Sequence, residues 1–332
     1  MTGAETDRQY AAMLEEAARF IRSRDHFLVV SHVDPDGDAA GSTCAVGCIL
    51  EQCGKRFTLI NNGEIPRKFS HLHGYDRVLD LKRERPQAKF RHIISVDCAD
   101  FARFGAVSEL FDEEYELLNI DHHSTNDRFG TVNVVKPDAA ATAEILYDLI
   151  RTMGLPWTKE NAECVYTGLL TDTGGFRYSN TTPKVMRIAS ELLEHGVEGA
   201  KLAQALLETV SYAHILLLKR ALATLAFTED RRIAWMVVEQ RDLAAAGAKM
   251  SELDGLVNYP RNIEGVDIGI LFKEVRENEY KISLRSGKHA DVSAVAQRLG
   301  GGGHVRAAGV TVAGTREEVI ARVLEAARAE LT

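Results

Sequence analysis

Short apolar runs alternate with segments of helical periodicity along the first two thirds of the chain. Residues 7–24 carry apolar side chains at helical spacing, and four apolar runs that predict buried strands follow, namely FLVVSH, RFTLINN, HIISVD and YELLNID. Strands that are apolar on both faces and alternate with helices are typical of a largely parallel sheet. The pattern is then almost entirely helical from about 142 to 228. We therefore predict an α/β domain here.

The last hundred residues follow a different pattern. Three strand-like runs occur there (IAWMVVE, VDIGILFKE and YKISLRS), with helix-like segments after them. The turn-rich RENE joins two of these runs, which indicates a hairpin and an α+β unit. We predict an N-terminal domain over 1–197, a helical linker over 198–229 and a smaller α+β domain over 230–332. We expect the active-site cleft between the two domains.

Length and charge refine this division. A chain of 332 residues suits two domains at ~150 residues each. The net charge is −8, from 40 Lys and Arg against 48 Asp and Glu, and residues 230–332 are neutral, so the acidity lies in 1–229. The segment 281–306 contains five basic residues and one acidic residue. This balance argues against a protein that coats long nucleic acid, but it allows a nucleotide in one local pocket.

The predicted compartment is the cytoplasm. The N-terminal residues are acidic and lack the apolar core of a signal peptide. No run reaches the ~20 apolar residues that a membrane span requires. The five cysteines form no CxxC pair, so we expect reduced thiols rather than a disulfide framework or a zinc knuckle. We expect a soluble protein that does not bind membranes.

Acids and histidines follow the ends of four predicted elements. They occur in SHVDPDGDAAGS, IISVDCAD, LLNIDHHSTND and LLTDTGGF, and they are His32, Asp34, Asp36, Asp38, Asp97, Asp121, His122, His123 and Asp172. Any one of these acids alone would be explained as a helix cap. Their repetition at four element ends of one acidic domain favours a metal site, because clustered carboxylates repel one another unless a cation compensates them.

The donor types narrow the chemistry. Mixed oxygen and nitrogen ligands favour Mn²⁺ or Fe²⁺ over Mg²⁺ alone. Two cations that share a bridging carboxylate and a hydroxide are a common device for phosphoester hydrolysis. The chain has no GxxxxGK[ST] phosphate loop and no GxSxG elbow, and the GGGG at 300–303 follows a predicted helix rather than a strand. A metal-dependent hydrolase is therefore the favoured class.

The four motifs HVDPDGD, VDCAD, DHH and LLTDTGGF, in this order, resemble those of the DHH phosphoesterase superfamily. SLRS followed by GGGGHVRAAG resembles its DHH-associated substrate-binding domain. The layout is most similar to the bifunctional oligoribonucleases that are also 3′-phosphoadenosine-5′-phosphate (PAP) phosphatases. The resemblance implies one cation at His32, Asp36 and Asp97, and a second at Asp38, Asp97, His122 and Asp172. It also implies that His123 faces the scissile phosphate and that Asp121 orients the adjacent imidazoles; Asp34 receives no ligand role.

In the C-terminal domain the same resemblance points to a phosphate clamp. Arg285 and Ser286 end a predicted strand and can hold a phosphate. Glycines let the backbone approach a ligand, and an imidazole and a guanidinium follow them, so the predicted set includes Gly301, Gly302, Gly303, His304 and Arg306. Asn258 and Arg261 are weaker candidates. The alternatives are a solvated strand end and a flexible glycine turn.

The sequence thus predicts an Mn²⁺-dependent hydrolase with two divalent cations, Mg²⁺ and Fe²⁺ being the other candidates. It would cleave short oligoribonucleotides to nucleoside monophosphates, and PAP to AMP, through an activated hydroxide. The first alternative is a phosphodiesterase acting on cyclic di-AMP or pApA. The second is a non-catalytic nucleotide-binding module, which would have lost a ligand. Oligomeric state stays open, with a homodimer as one option.

Overall fold

A computed structural model describes residues 3–253, 255–287 and 290–331 of the chain. It divides into two compact units, Met1–Thr209 and Val210–Thr332. The division therefore falls inside the segment 198–229 that the sequence marked as a linker. Each unit contains its own sheet.

The first unit is built on a six-stranded parallel sheet. Its strands are β1 Phe27–Val30, β2 Phe57–Asn61, β3 Val78–Asp80, β4 Phe90–Val96, β5 Phe111–Asp121 and β6 Val132–Val135, in the order β3-β2-β1-β4-β5-β6. Its helices are α1 Gly3–Ser23, α2 Gly37–Gln52, α3 Thr142–Met153, α4 Lys159–Asp172, α5 Pro183–Glu194 and α6 Gly199–Ala203. Short 3₁₀ helices span Arg67–Phe69 and Tyr75–Arg77, and two more lie within Phe101–Leu110 on either side of a kink at Gly105. A π-helical turn spans Gln204–Glu208. The predicted α/β class is confirmed.

Both faces of this sheet are buried, as the uninterrupted apolar runs predict. Val29 and Ile94 face a core formed with α1–α5, whereas Leu28 and Ile93 face a second core that includes the segment Phe101–Leu110. The strand order reverses between β1 and β4. In open α/β sheets the crevice at the carboxyl ends of the strands beside such a reversal is the usual ligand site. The loops after β1 and β4 carry the HVDPDGD and VDCAD motifs.

The second unit contains a mixed six-stranded sheet. Its strands are β7 Ala226–Phe227, β8 Ile233–Val238, β9 Ile268–Arg276, β10 Glu279–Ser286, β11 Gly302–His304 and β12 Ala307–Ala313, in the order β11-β12-β10-β9-β8-β7. Only the β8–β9 pair is parallel. The helices are α7 Tyr212–Ala223, α8 Gln240–Ala246, α9 Asn258–Arg261, α10 Val292–Arg298 and α11 Arg316–Leu331, with a 3₁₀ helix at Met250–Leu253.

Two local features differ from the sequence pattern or refine it. Strand β7 lies inside the stretch 142–228, whose periodicity predicted helix. Its two residues pair with β8, and this pairing outweighs their helical sequence pattern.

The cysteines are all free thiols, and four of the five are buried. Across the described residues, no helix has the length and apolar character needed to cross a bilayer.

Candidate metal centre

The predicted acids and histidines of the first unit converge at the carboxyl edge of its sheet. Asp97, directly after β4, lies at the centre. Its carboxylate is 3.5 Å from His32 Nε2 and 3.6 Å from His122 Nε2. His122 Nε2 also lies 3.3 Å from an oxygen of Asp172 and 4.0 Å from one of Asp38. Residues from four separate segments thus meet within a few ångström.

Three groups of side chains have donor atoms close enough to hold a cation, with all donors in a group within 4.8 Å of one another. The groups are His32, Asp36 and Asp97; Asp38, His122 and Asp172; and Asp97, His122 and His123. Asp97 and His122 each belong to two groups. Two neighbouring cation positions that share a carboxylate are therefore compatible with this arrangement. Asp34 is exposed and belongs to none of the groups.

Backbone carbonyls orient two of the imidazoles. His32 Nδ1 is 2.7 Å from the carbonyl oxygen of Val33, and His122 Nδ1 is 3.3 Å from that of Ala139. These partners favour the tautomer in which Nδ1 carries the proton. Nε2 then presents its lone pair toward the carboxylates, which is the form of imidazole that binds metal ions.

Asp121 acts on one imidazole rather than two. Its Oδ1 is 2.7 Å from His123 Nδ1 and accepts the backbone N–H of His122 at 2.9 Å. The ring of His122 is held by Ala139 instead, which corrects the expectation that Asp121 orients both rings. Asn126 donates to the second oxygen of Asp121 at 2.6 Å and thereby fixes that carboxylate. The carboxylate and amide together set the orientation of the His123 ring.

The start of α3 holds two of the proposed ligands. The backbone N–H groups of Thr142 and Ala143 donate to Asp38 at 2.6 and 3.0 Å, and the Thr142 hydroxyl donates to Asp97 at 3.1 Å. Helix α3 begins after Ala141, whose methyl side chain cannot accept a hydrogen bond from the first amides of the helix. The carboxylate of Asp38 therefore supplies the acceptor that the first amides of the helix need. A Cβ at Gly168 would lie 2.5 Å from this carboxylate, so that glycine makes room for it.

Two other acids have backbone roles. Asp36 caps α2, because its Oδ1 accepts the N–H groups of Asp38 and Ala39 at 3.0 and 3.1 Å. The helix cap therefore uses one carboxylate oxygen of Asp36, and the second oxygen takes no part in the cap.

The backbone of Asp97 is strained. Its φ is 54°, a left-handed conformation that is uncommon outside glycine and asparagine. Such backbone strain is concentrated at functional sites.

The charges of the cluster are unbalanced. Burial, together with the neighbouring carboxylates, raises the pKa of Asp38 and Asp172 well above the usual range. Burial also acts to raise the pKa of Asp97, but the hydrogen bond to His32 and the nearby histidines outweigh it and lower that pKa. Buried carboxylates that repel one another, beside imidazoles with Nε2 turned inward, have the donor chemistry of a divalent cation site. The residues present therefore fit the metal that the motifs imply.

Sequence reasoning missed the residues that support this cluster. Thr142 lies outside the motif segments, and Asn126 lies inside LLNIDHHSTND but was given no role. Asn180 was not predicted either, and it donates to the carbonyl oxygens of Ala140 and Asp172 at 3.0 and 3.1 Å. One indirect signal existed, because three alanines precede α3 where a capping residue would be expected. A helix without its own cap needs an acceptor from another segment.

Two of the predicted clamp residues in the second unit share a row of its sheet. Arg285 and His304 both pair with Ala307, one from β10 and the other from β11. Arg261 in α9 packs on Gly269, which pairs with Arg285 on the other side. Because directly paired residues point to the same face of a sheet, the side chains of Arg285 and His304 share one face. Asn258 begins α9 and is half-buried.

Other residues of the predicted clamp have structural contacts. The Ser286 hydroxyl is buried and donates to the Ala290 carbonyl at 2.7 Å, and Arg306 donates to the same oxygen at 2.6 Å. Gly301 and Gly303 sit where a Cβ would collide with β12, whereas a Cβ at Gly302 would meet nothing within 4 Å. Of the basic stretch 281–306, Arg298 pairs with Glu330 at 3.0 Å. Lys288 lies outside the described residues.

Comparison with known proteins identifies the class. The model of the DHH family, N-terminal domain, matches residues 26–169, and that of the DHHA1 domain matches residues 232–332. The chain belongs to the DHH family and is a hydrolase of the phosphoesterase type.

Its relatives make the grouping more specific. The chain is 38% identical, over 92% of its length and 90% of the relative's, to the bifunctional oligoribonuclease and PAP phosphatase NrnA of Thermus thermophilus. It is 27% identical to the Bacillus subtilis protein of the same name, over 90% of this chain and 93% of the relative. A crystal structure of an exopolyphosphatase-related protein from Bacteroides fragilis superposes with a TM-score of 0.89 at 26% identity, covering 96% of each chain.

Proposed function

We propose that this chain is an Mn²⁺-dependent phosphoesterase that hydrolyses short oligoribonucleotides to nucleoside monophosphates and PAP to AMP. The observation that carries the proposal is a pair of neighbouring donor groups, His32, Asp36 and Asp97 in one and Asp38, His122 and Asp172 in the other. The 3.6 Å contact between Asp97 and His122 Nε2 links the two groups. The names of the two NrnA relatives supply the substrate classes. We also propose that the protein acts in the cytoplasm.

The ligand assignment uses two of the three donor groups and adds Asp97, whose carboxylate is 3.6 Å from His122 Nε2, to the group of Asp38, His122 and Asp172. His32, Asp36 and Asp97 would hold one cation, and a second would be held by Asp38, Asp97, His122 and Asp172. When bound, two divalent cations lower the pKa of a water nucleophile and neutralise charge on the phosphate. The mixture of imidazole nitrogen and carboxylate oxygen donors supports Mn²⁺ over Mg²⁺.

His123 is the proposed contact with the scissile phosphate. Its Nδ1 is hydrogen-bonded to Asp121, so Nε2 lies on the opposite edge of the ring. The Asp121 carboxylate stabilises the positive form of this imidazole. Burial lowers the pKa of His123, but Asp121 and Asp97 outweigh that effect and the pKa is raised. A charged imidazole can donate a strong hydrogen bond to a phosphate oxygen as negative charge develops.

The second unit would bind the part of the substrate that does not react. Arg285 offers a planar fork for a phosphate, and His304 lies on the same face of the sheet. Gly302 leaves open space beside them. We assign no ligand contact to the hydroxyl hydrogen of Ser286, because it is donated to Ala290.

A substrate panel tests the proposal. Purified protein with Mn²⁺ should release AMP from pApA and phosphate from PAP, read out by chromatographic identification of the products. Faster turnover of cyclic di-AMP than of pApA or PAP would favour the cyclic-dinucleotide alternative. Binding of all three without any product would instead support a non-catalytic module and contradict the proposal.

A further inference from the structure

The helices of the second unit cover the two faces of its sheet unequally. On one face α10 and α11 contribute to a core with alternate residues of β10 and β12, such as Ile282, Leu284 and Val310. On the opposite face α7 and the segment around α9 pack on β8 and β9, through Met236 and Leu271 among others. The positions of β10, β11 and β12 on this opposite face are exposed or half-buried.

Strand register defines which side chains line this uncovered area. One row joins Arg285, Ala307 and His304, a second joins Ser283, Gly309 and Gly302, and a third joins Lys281 and Thr311. We call these eight positions the open sheet face. Alternation along β10 supports the assignment, because Tyr280, Ile282, Leu284 and Ser286 are buried while the residues between them are not.

The middle row of the open sheet face is made of small residues. Gly302 and Gly309 lie directly opposite each other on neighbouring strands, with Ser283 beyond them. A glycine within a strand weakens it and often marks a place where a ligand approaches closely. Gly302 does not have a positive φ, and an added Cβ would meet nothing within 4 Å, so the fold itself does not require glycine there. What this glycine provides is room above the sheet.

Basic residues flank this small-residue row on both sides along the strands. Arg285 and His304 lie on one side of it, and Lys281 lies on the other. Arg285 and Lys281 are four residues apart on β10, which corresponds to about 13 Å along a strand. Lys281 is exposed and lies opposite Lys273 of β9. Within the described parts of the chain, no acid forms an ion pair with Lys281.

We propose that the open sheet face binds a second phosphate of a short oligonucleotide at Lys281, beyond the phosphate held by Arg285. The small-residue row between them accommodates the intervening sugar and base. This inference rests on the proposed function and adds a length preference to it. Filling both positions takes two phosphates besides the scissile one, which a 5′-phosphorylated trinucleotide carries, whereas PAP, with one nucleoside, carries only one.

Hydrolysis of pApApA and pApA by the Lys281→Ala variant tests this site. The ratio of kcat/KM for the trinucleotide to kcat/KM for the dinucleotide should fall about three- to fivefold, the upper part of the range for one exposed charge contact. The slope of log kcat/KM against log salt for the trinucleotide should become shallower by about 0.7, the value for one phosphate on a single strand. The matched variant Lys249→Ala removes another exposed lysine, outside the open sheet face, and should leave both quantities at wild-type values.

A second variant tests the room above the sheet. Gly302→Val places a β-branched side chain in open space, so its melting temperature should not fall, yet kcat/KM for pApApA should drop. An unchanged ratio and salt slope in Lys281→Ala, or full trinucleotide activity in folded Gly302→Val, would overturn the inference. Wild-type protein that hydrolyses neither substrate with Mn²⁺ would overturn the proposed function instead, so the two failures are distinguishable.

Discussion

The metal centre and the open sheet face are both polar sites, but they are built in opposite ways. The metal centre gathers side chains from several strand and helix ends, most of them buried or half-buried. Hydrogen bonds hold several of them, such as the bond that Thr142 donates to Asp97 and the bond between His122 Nδ1 and the carbonyl oxygen of Ala139. The open sheet face takes its geometry from the register of three strands, and its positions are exposed or half-buried. The contrast suggests that fixed geometry serves the reaction, whereas open space and charge serve binding.

The contrast predicts that losing a shared ligand has the largest effect. Asp97→Asn keeps the size and the left-handed backbone tolerance of the residue but removes a charge that two donor groups share. Its kcat/KM on pApA with Mn²⁺ should fall more than the ~100-fold typical of partners outside the ligand set. Circular dichroism should show that the fold is retained.

Asp34→Asn is the matched control. It makes the same chemical change in the same acidic region, at an exposed residue that also has a positive φ, 56°, and belongs to no donor group. Activity should stay within about twofold of wild type, because surface substitutions away from such features have small effects. Equal losses in the two variants would mean that general acidity, rather than the cluster at Asp97, supports catalysis.

The hydrogen bonds that hold the proposed metal ligands should matter for Mn²⁺ binding almost as much as the ligands themselves. Thr142→Val removes the hydroxyl that donates to Asp97 and keeps the backbone N–H that donates to Asp38. Mn²⁺ affinity, measured by calorimetry without substrate, should fall about 10- to 100-fold, as is typical when the partner of a metal ligand is lost.

Two variants bracket this prediction. Thr142→Ser restores a hydroxyl and should recover most of the affinity. Thr43→Val removes a buried hydroxyl that donates to the carbonyl oxygen of Ala39 within its own helix, and it should bind Mn²⁺ like wild type. If Thr43→Val weakens Mn²⁺ binding as much as Thr142→Val, general loosening of the first unit explains both.

The next prediction concerns substrate binding by the guanidinium group of Arg285 on the open sheet face. Arg285→Lys keeps the positive charge but loses the planar fork that holds a phosphate through two parallel bonds. We expect KM for pApA to rise about tenfold, the loss of one charge-assisted hydrogen bond, with a smaller change in kcat. A fall in kcat at unchanged KM would instead place Arg285 in the chemical step and erase the contrast between the two sites.

The smallest predicted effect concerns stability in the second unit. Asp291 caps α10 by accepting the N–H groups of Ser293 and Ala294. The Ser293 hydroxyl donates to the same carboxylate and lowers the pKa of Asp291 despite slight burial. Asp291→Ala should lower the free energy of unfolding by about 1 kcal/mol at pH 7. Because the lowered pKa belongs to the folded state, this difference should be full above the ordinary aspartate range and should vanish as pH falls through that lowered pKa. Denaturant titrations at pH 7 and pH 3 measure it.

The sequence predicted the acids and histidines of the metal centre better than it predicted the residues that hold them by hydrogen bonds. HVDPDGD and DHH place several titratable side chains within a few residues, so their clustering is visible along the chain. Thr142 and Ala139 support this cluster through contacts across more than 15 residues, and neither is part of such a motif. The individual roles proposed for the ligands stay predictions.

In the second unit, the sequence showed the composition of the site but not its arrangement. The charges of Arg285 and Lys281 and the glycines of 300–303 were evident. Which of them share a face depends on strand register, and β11 begins inside the glycine run itself. Ser286 was singled out beside Arg285, yet the side-chain alternation of β10 turns it to the buried face. A shift of register by one residue would exchange these two roles.

The number of Mn²⁺ ions bound per chain tests the central claim most directly. Metal-depleted protein titrated with Mn²⁺, with free Mn²⁺ measured by electron paramagnetic resonance, should bind two ions per chain, and Asp97→Asn should disturb both binding steps. A stoichiometry of one or none in folded wild-type protein, or two undisturbed steps in Asp97→Asn, would contradict the account of two cations that meet at Asp97.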